Sequence, residues 1–146
     1  MRLPASPLRP RDHTMSRQIF VNLPVRDLSV SVAFFTALGF RFDPRFTDDN
    51  ATCMVVADGI HVMLLVEPFF QTFTDRRVAD ARSHTEVLVC LSCEGDAEVD
   101  DLVARAAAAG GRAHRTPQDH GFMYAHGFED PDGHLWELVH MRSMPA

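Results

Sequence analysis

The 146-residue chain has no lysine; all fourteen of its basic residues are arginine. Alongside abundant alanine, this reads as coding bias rather than function. Twenty acidic residues outnumber those arginines and leave a net charge of −6. That balance excludes a broad nucleic-acid surface, which needs clustered positive charge to neutralise phosphates. No apolar run approaches the ~18 residues that span a bilayer, so neither a nucleic-acid nor a membrane partner is expected. Cysteine is scarce: Cys53, Cys90 and Cys93 cannot all pair and are too few for a disulfide scaffold. A reduced, cytoplasmic setting follows. Cys90 and Cys93 have CxxC spacing, but they fall on a strand-like run, where side chains three apart point to opposite faces. A phosphate-cradling glycine loop, a nucleophile elbow and an HExxH zinc helix are all missing.

What is present is a globular composition, 46% hydrophobic and 23% charged, long enough for a substantial core. Residues 1–17 differ from the rest. Prolines and arginines without periodicity predict a disordered tail that ends beside Met15. From Gln18 a pattern emerges. Ile19–Val25 alternates as a strand, and Pro24, which cannot donate to a ladder, predicts that the strand's end lies at an edge or a bulge. Asp27 is a good N-cap for a helix carrying Leu28, Val32, Phe35 and Leu38 on one stripe, with Gly39 as its stop. Strand candidates follow at Phe40–Arg45, Ala51–Ala57 and Ile60–Glu67, the last two joined by the hairpin turn Asp58-Gly59. After a connection over 68–84 the order repeats. Glu86–Ser92 reads as a strand, Asp96–Ala109 as a helix, and Ala113–Thr116, Phe122–Phe128 and Leu135–Met141 as strands, with Asp130–Gly133 as the final turn.

Two β-α-β-β-β units in one chain predict an α+β fold with modules at about 18–68 and 84–142 in a single domain. Each helix covers one face of its sheet and leaves the other free. If the two sheets meet and curl, their free faces make one cup for a ligand. Strand parity puts Phe20, Asn22, His61, Met63, Leu65 and Glu67 on the free face, with Glu86, Leu88 and Cys90 on the second module's. For the last strand parity allows either Trp136, Leu138 and His140 or Leu135, Glu137 and Val139. The aromatic run Phe69–Phe73, in a connection, is expected to close over the cup or to cover a partner module.

Three stretches carry a family resemblance: Leu23–Phe35 with Leu38-Gly39-Phe40, the second strand and helix ending at Gly110-Gly111, and Phe128–Leu138 with its sequence FEDPDGHLWEL. The chain resembles the vicinal oxygen chelate superfamily of glyoxalase I, bleomycin-resistance proteins and extradiol dioxygenases. The resemblance implies paired βαβββ modules around a cup, a homodimer and a divalent metal (Zn, Ni, Mn or Fe) that polarises two neighbouring substrate oxygens. Its ligands would come from the first and fourth strands of each module. Here those positions fall on Phe20, on or near Met63, near Glu86 and on Glu137. His61, Glu86 and Glu137 have suitable ligand chemistry if they converge.

The function implied first is a glyoxalase-like small-molecule enzyme, a lactoylglutathione-lyase-like lyase or isomerase acting on an oxygenated metabolite. Glu137 and Glu86 would be its catalytic carboxylates, and Asn22, His61, Met63, Tyr124 and His126 would bind substrate. A second reading is a metal-free binding or sequestration protein of the bleomycin-resistance type. A ring-cleaving dioxygenase is the third.

Overall fold

The computed structural model describes residues 16–143, so the tail expected over 1–17 lies almost wholly outside the described residues. Two sheets form. In the first, β1 (Ile19–Val25), β4 (Ile60–Val66), β3 (Ala51–Ala57) and β2 (Arg41–Asp43) lie side by side in that order. The second runs β5 (Leu88–Ser92), β9 (Leu135–Met141), β8 (Met123–Glu129) and β6 (Arg112–Ala113), with the short β7 (Gln118–Asp119) also paired to β8. In each sheet the first strand runs parallel to the last and the remaining pairs are antiparallel. The α+β class and the twofold βαβββ order are therefore found as expected. β1 is an edge strand, in keeping with Pro24.

Three strands are shorter than the sequence suggests. Pro44 ends β2 at Asp43 by opening a 3₁₀ turn over Pro44–Phe46. β6 stops at Ala113, and β5 begins at Leu88 rather than Glu86.

Helix α1 (Leu28–Ala37) starts as its sequence dictates. The Asp27 carboxylate accepts from the Ser29 hydroxyl at 2.7 Å and from the amides of Val30 at 3.3 Å and Ser29 at 3.0 Å, which holds its pKa below the usual carboxylate value. Helix α3 (Asp96–Ala108) has glycine at its N-cap, and Glu98 instead reaches back to accept from the Glu94 amide at 2.8 Å. Glu67–Phe70 forms a single helical turn, α2, at the start of the connection between modules.

The two helices lie between the sheets. α1 buries Phe34 and Phe35 over Leu23, Val25, Val62 and Leu64 of its own sheet. The same two rings reach the second sheet, Phe35 standing 5.0 Å from Trp136 and Phe34 5.8 Å from Phe128. Val99, Val103 and Ala106 of α3 complete one continuous apolar cluster. Full burial of each large side chain contributes roughly 1.5–3 kcal/mol, so this shared core binds the modules together. The free faces of the sheets consequently look outward, away from that core.

Polar contacts tie the end of β1 to the β8–β9 turn. The Arg26 amide donates to Asp132 at 2.9 Å, and His134 Nε2 donates to the Pro24 carbonyl at 2.6 Å. Within the turn, buried Asp130 accepts from the amides of Asp132 and His134 and from the Trp136 indole at 3.1 Å.

Candidate functional site

Pairing register shows which positions of the two modules correspond. β1 and β4 meet with Leu23 beside Leu64, and β5 and β9 meet with Leu91 beside Leu138. Superposing these pairs sets Phe20 on Leu88, Asn22 on Cys90 and Met63 on Glu137, and it sets the N-cap Asp27 on the N-cap Gly95. The first-strand position of the second module is therefore Leu88. Glu86, expected near it, lies ahead of the strand.

On the second sheet, Trp136 and Leu138 are fully buried against the helices. This settles the parity left open by the sequence: Glu137 faces outward, with Cys90 and Gly127 as its cross-strand neighbours. Leu88, Leu135 and Val139 share that face by register and make its surroundings apolar. Gly127 matters here. A Cβ at this position would stand 2.7 Å from the Trp136 carbonyl oxygen and 2.9 Å from Glu137 Oε2, so the carboxylate lies in a niche that only glycine leaves open. Among the described residues Glu137 has no hydrogen-bond or ion-pair partner. Cys90 is exposed beside it, its thiol pushed up by partial burial and then by the Glu137 charge.

His61 and Met63 face outward on the first sheet. The His61 ring stacks on Phe20 at 4.6 Å, and its Nδ1 lies 3.6 Å from Cys53 Sγ. Cys53 is buried, and burial raises its thiol pKa, so it is a poor nucleophile. Asp43 on the same face is held by Arg45 through two side-chain contacts of 3.0 and 2.7 Å, which bring its pKa down to about 2.

The remaining candidates scatter. Tyr124 and His126 share parity with Phe128 and point to the helix side of the second sheet. The Tyr124 hydroxyl donates to Asp100 of α3 at 2.7 Å, and His126 Nε2 meets the Arg115 carbonyl at 2.6 Å while its buried Nδ1 has no partner. Asn22 and Glu86 instead come together in a cavity of about 230 Å³ at the module junction, roofed by the connection that follows Phe70. Arg77 and His84 also line that cavity and were not singled out by the sequence, because only the folded path of the connection brings them there.

The fit to a metal can be judged from the donors. The four corresponding positions hold Phe20, Met63, Leu88 and Glu137. One is a carboxylate, one a thioether and two are hydrocarbon. Such a set does not suit a hard divalent ion, which takes oxygen and nitrogen ligands. His61, Glu86 and Glu137 occupy three separate places in one chain. Among the described residues no group of three or more His, Cys, Asp or Glu side chains is placed to hold a metal. Nor is any helix of the described residues long and apolar enough to cross a membrane.

Comparison with known proteins agrees with this architecture. A hypothetical protein from S. aureus is 27% identical and superposes with a TM-score of 0.73, covering 85% of this chain and 93% of its own. A glyoxalase-related enzyme from Fulvimarina pelagi is 22% identical, with a TM-score of 0.74 over 89% of this chain and 92% of that one. The bleomycin resistance determinant encoded on the transposon Tn5 is 21% identical, with a TM-score of 0.63 over 88% of this chain and all of the other. The latter two likenesses are of fold. No curated protein matches the sequence. The sequence profile of the Glyoxalase/Bleomycin resistance protein/Dioxygenase superfamily matches residues 12–138, and the chain belongs to that superfamily.

Proposed function

We infer that this chain is a cytoplasmic small-molecule-binding protein that holds an organic cation against Glu137, without a metal, in a cup completed by a second copy of itself. The donor set carries this reading. Where the family resemblance puts four ligands, this chain offers one carboxylate among apolar and thioether side chains. A lone carboxylate on an apolar face suits an organic ammonium group, which brings its own apolar surface and is less strongly hydrated than a bare metal ion. Gly127 supports the reading by leaving the room that the carboxylate occupies.

The second copy is suggested by the free edges. Ile19 and Phe20 on β1, and Val87 and Leu88 at β5, are large apolar residues left about half exposed. Unpaired edge strands of this composition need cover. Because the free faces turn away from each other within one chain, two copies are what would bring Phe20 and Met63 opposite Leu88 and Glu137.

Calorimetric titration with tryptamine and with indole-3-propionate, an aromatic pair of opposite charge, tests the reading. Tryptamine should bind, Glu137→Gln should weaken it about tenfold or more, and chelator treatment should change nothing. Equal binding of the acid, or loss of binding after chelation, would overturn it. One observation favours the lyase or isomerase reading. An unpartnered carboxylate is also free to take a proton from a substrate carbon, and turnover of a thiol-conjugated hydroxy carbonyl that disappears in Glu137→Gln would establish that function instead.

A further inference from the structure

The cavity at the module junction adjoins the outward face of Glu137, sharing Leu135 with it but not Glu137 itself, and it is a built feature. Its walls are the end of β1 and the start of β9, tied by the His134–Pro24 and Arg26–Asp132 hydrogen bonds. Its roof is the connection between the modules, seated directly on Gly133. A Cβ there would stand 2.7 Å from the Arg82 nitrogen and 2.9 Å from the Ala81 carbonyl carbon, and the residue's φ of +95° also favours glycine. The roof is pinned along its length. The Gln71 side chain donates to the carbonyls of Thr74 at 2.9 Å and Arg76 at 2.7 Å, and Asp80 accepts from both the amide and the guanidinium of Arg82.

Six polar residues line this space. His84 is engaged by Ser83 and His134 by the Pro24 carbonyl. Three others come from three segments: Asn22 from β1, Arg77 from the start of the roof, and Glu86 from the approach to β5, with Thr85 beside it. Among the described residues none of the three side chains makes a hydrogen bond or ion pair. Arg77 and Glu86 thus line one cavity without pairing. The other walls, Phe70, Val87 and Leu135 among them, are largely apolar. A cation and an anion that do not pair, at the rim of an open and largely apolar pocket, are complementary to a ligand carrying the reverse pair. At about 230 Å³ the cavity is smaller than the ~300–1,000 Å³ typical of drug-sized sites, which limits the ligand to a single small metabolite.

We propose that the junction cavity binds a free α-amino acid with an apolar side chain. Its carboxylate meets the Arg77 guanidinium, its ammonium meets Glu86, and the Asn22 amide bridges the two charged groups. The side chain packs on Phe70 and Leu135. Arginine suits the first task because its planar fork matches a carboxylate.

The experiment is calorimetric titration of the full chain with L-leucine and its two halves, 3-methylbutylamine and 4-methylpentanoate. Leucine should bind, and each half should bind about tenfold more weakly or worse. Arg77→Gln and Glu86→Gln should each weaken leucine by a similar factor while leaving the melting curve intact, since both residues are exposed. Arg77→Gln should leave the amine unaffected, and Glu137→Gln should leave leucine unaffected. The proposal is overturned if leucine fails to bind at millimolar concentration, if the two halves bind as well as leucine, or if both cavity variants bind leucine like the wild type.

Discussion

Substituting Gly127 by alanine tests whether the niche under Glu137 is as tight as its geometry implies. The new Cβ meets two obstacles. Glu137 Oε2 at 2.9 Å is the tip of a flexible side chain and can swing away at little cost. The Trp136 carbonyl oxygen at 2.7 Å is backbone in the middle of the β8–β9 ladder, and its own side chain is fixed in the core. One strand must therefore shift, straining also the bond from the His114 amide to the Gly127 carbonyl at 2.9 Å. Overpacking of this kind costs about 1–3 kcal/mol, which for a domain of this size lowers the melt by roughly 4–12 °C. Most of the loss should persist in a Glu137→Ala background, because the backbone clash remains there. The carboxylate is displaced in the single variant, so tryptamine binding should fall as well. Thermal melts of the two single variants and the double variant, read as a cycle, give the answer. An unchanged melt with unchanged binding would refute both the niche and its role.

Asp130→Ala should destabilise the fold by about 2–5 kcal/mol in denaturant titration, since it leaves the buried Trp136 indole N–H and two turn amides without their acceptor. Burial raises the Asp130 pKa above its ordinary 3.8, so the folded state holds this proton more tightly than the unfolded chain. That contribution to stability is fully present below about 3.8 and is lost as the pH rises through the folded value; Asp130→Asn should remove this part of the pH dependence. Tyr124 is the chain's single tyrosine, and its hydrogen bond to Asp100 pushes its pKa from 10 up to about 12; phenolate absorbance should titrate near that value and move back toward 10 in Asp100→Asn. If the β1 and β5 edges cover one another in a dimer, charging them through Phe20→Glu and Leu88→Glu should give a monomeric mass in light scattering, and a dimeric mass for the double variant would remove those edges from the interface.

The fold was legible because its periodicities are strong and occur twice. Alternation in Ile19–Val25 and Ile60–Val66, the cap at Asp27 and the turns at Gly59 and Gly133 specify the strands and helix without tertiary help. The last strand was harder, because Trp136-Glu137-Leu138-Val139 carries apolar residues on both faces. Only the indole's place between Phe35 and Phe128 decides which side is core. Tyr124 and His126 share their parity with Phe128, so a stricter reading of that strand would have put them under the helix. The residues before β5 are strand-like in sequence but do not pair, so the sequence alone puts Glu86 closer to the sheet than it lies. The junction cavity was illegible for a different reason. It exists only where the connection rests on Gly133, a contact between segments distant in sequence that no local pattern encodes.

Metal analysis of the protein purified without chelator tests the central claim most directly. A cup with Phe20, Met63 and Leu88 beside a single carboxylate should carry far less than one ion per chain, and added zinc, nickel, manganese or iron should leave tryptamine binding unchanged. One tightly held ion per chain that is lost in Glu137→Gln would contradict the account and return the metal-assisted lyase to first place.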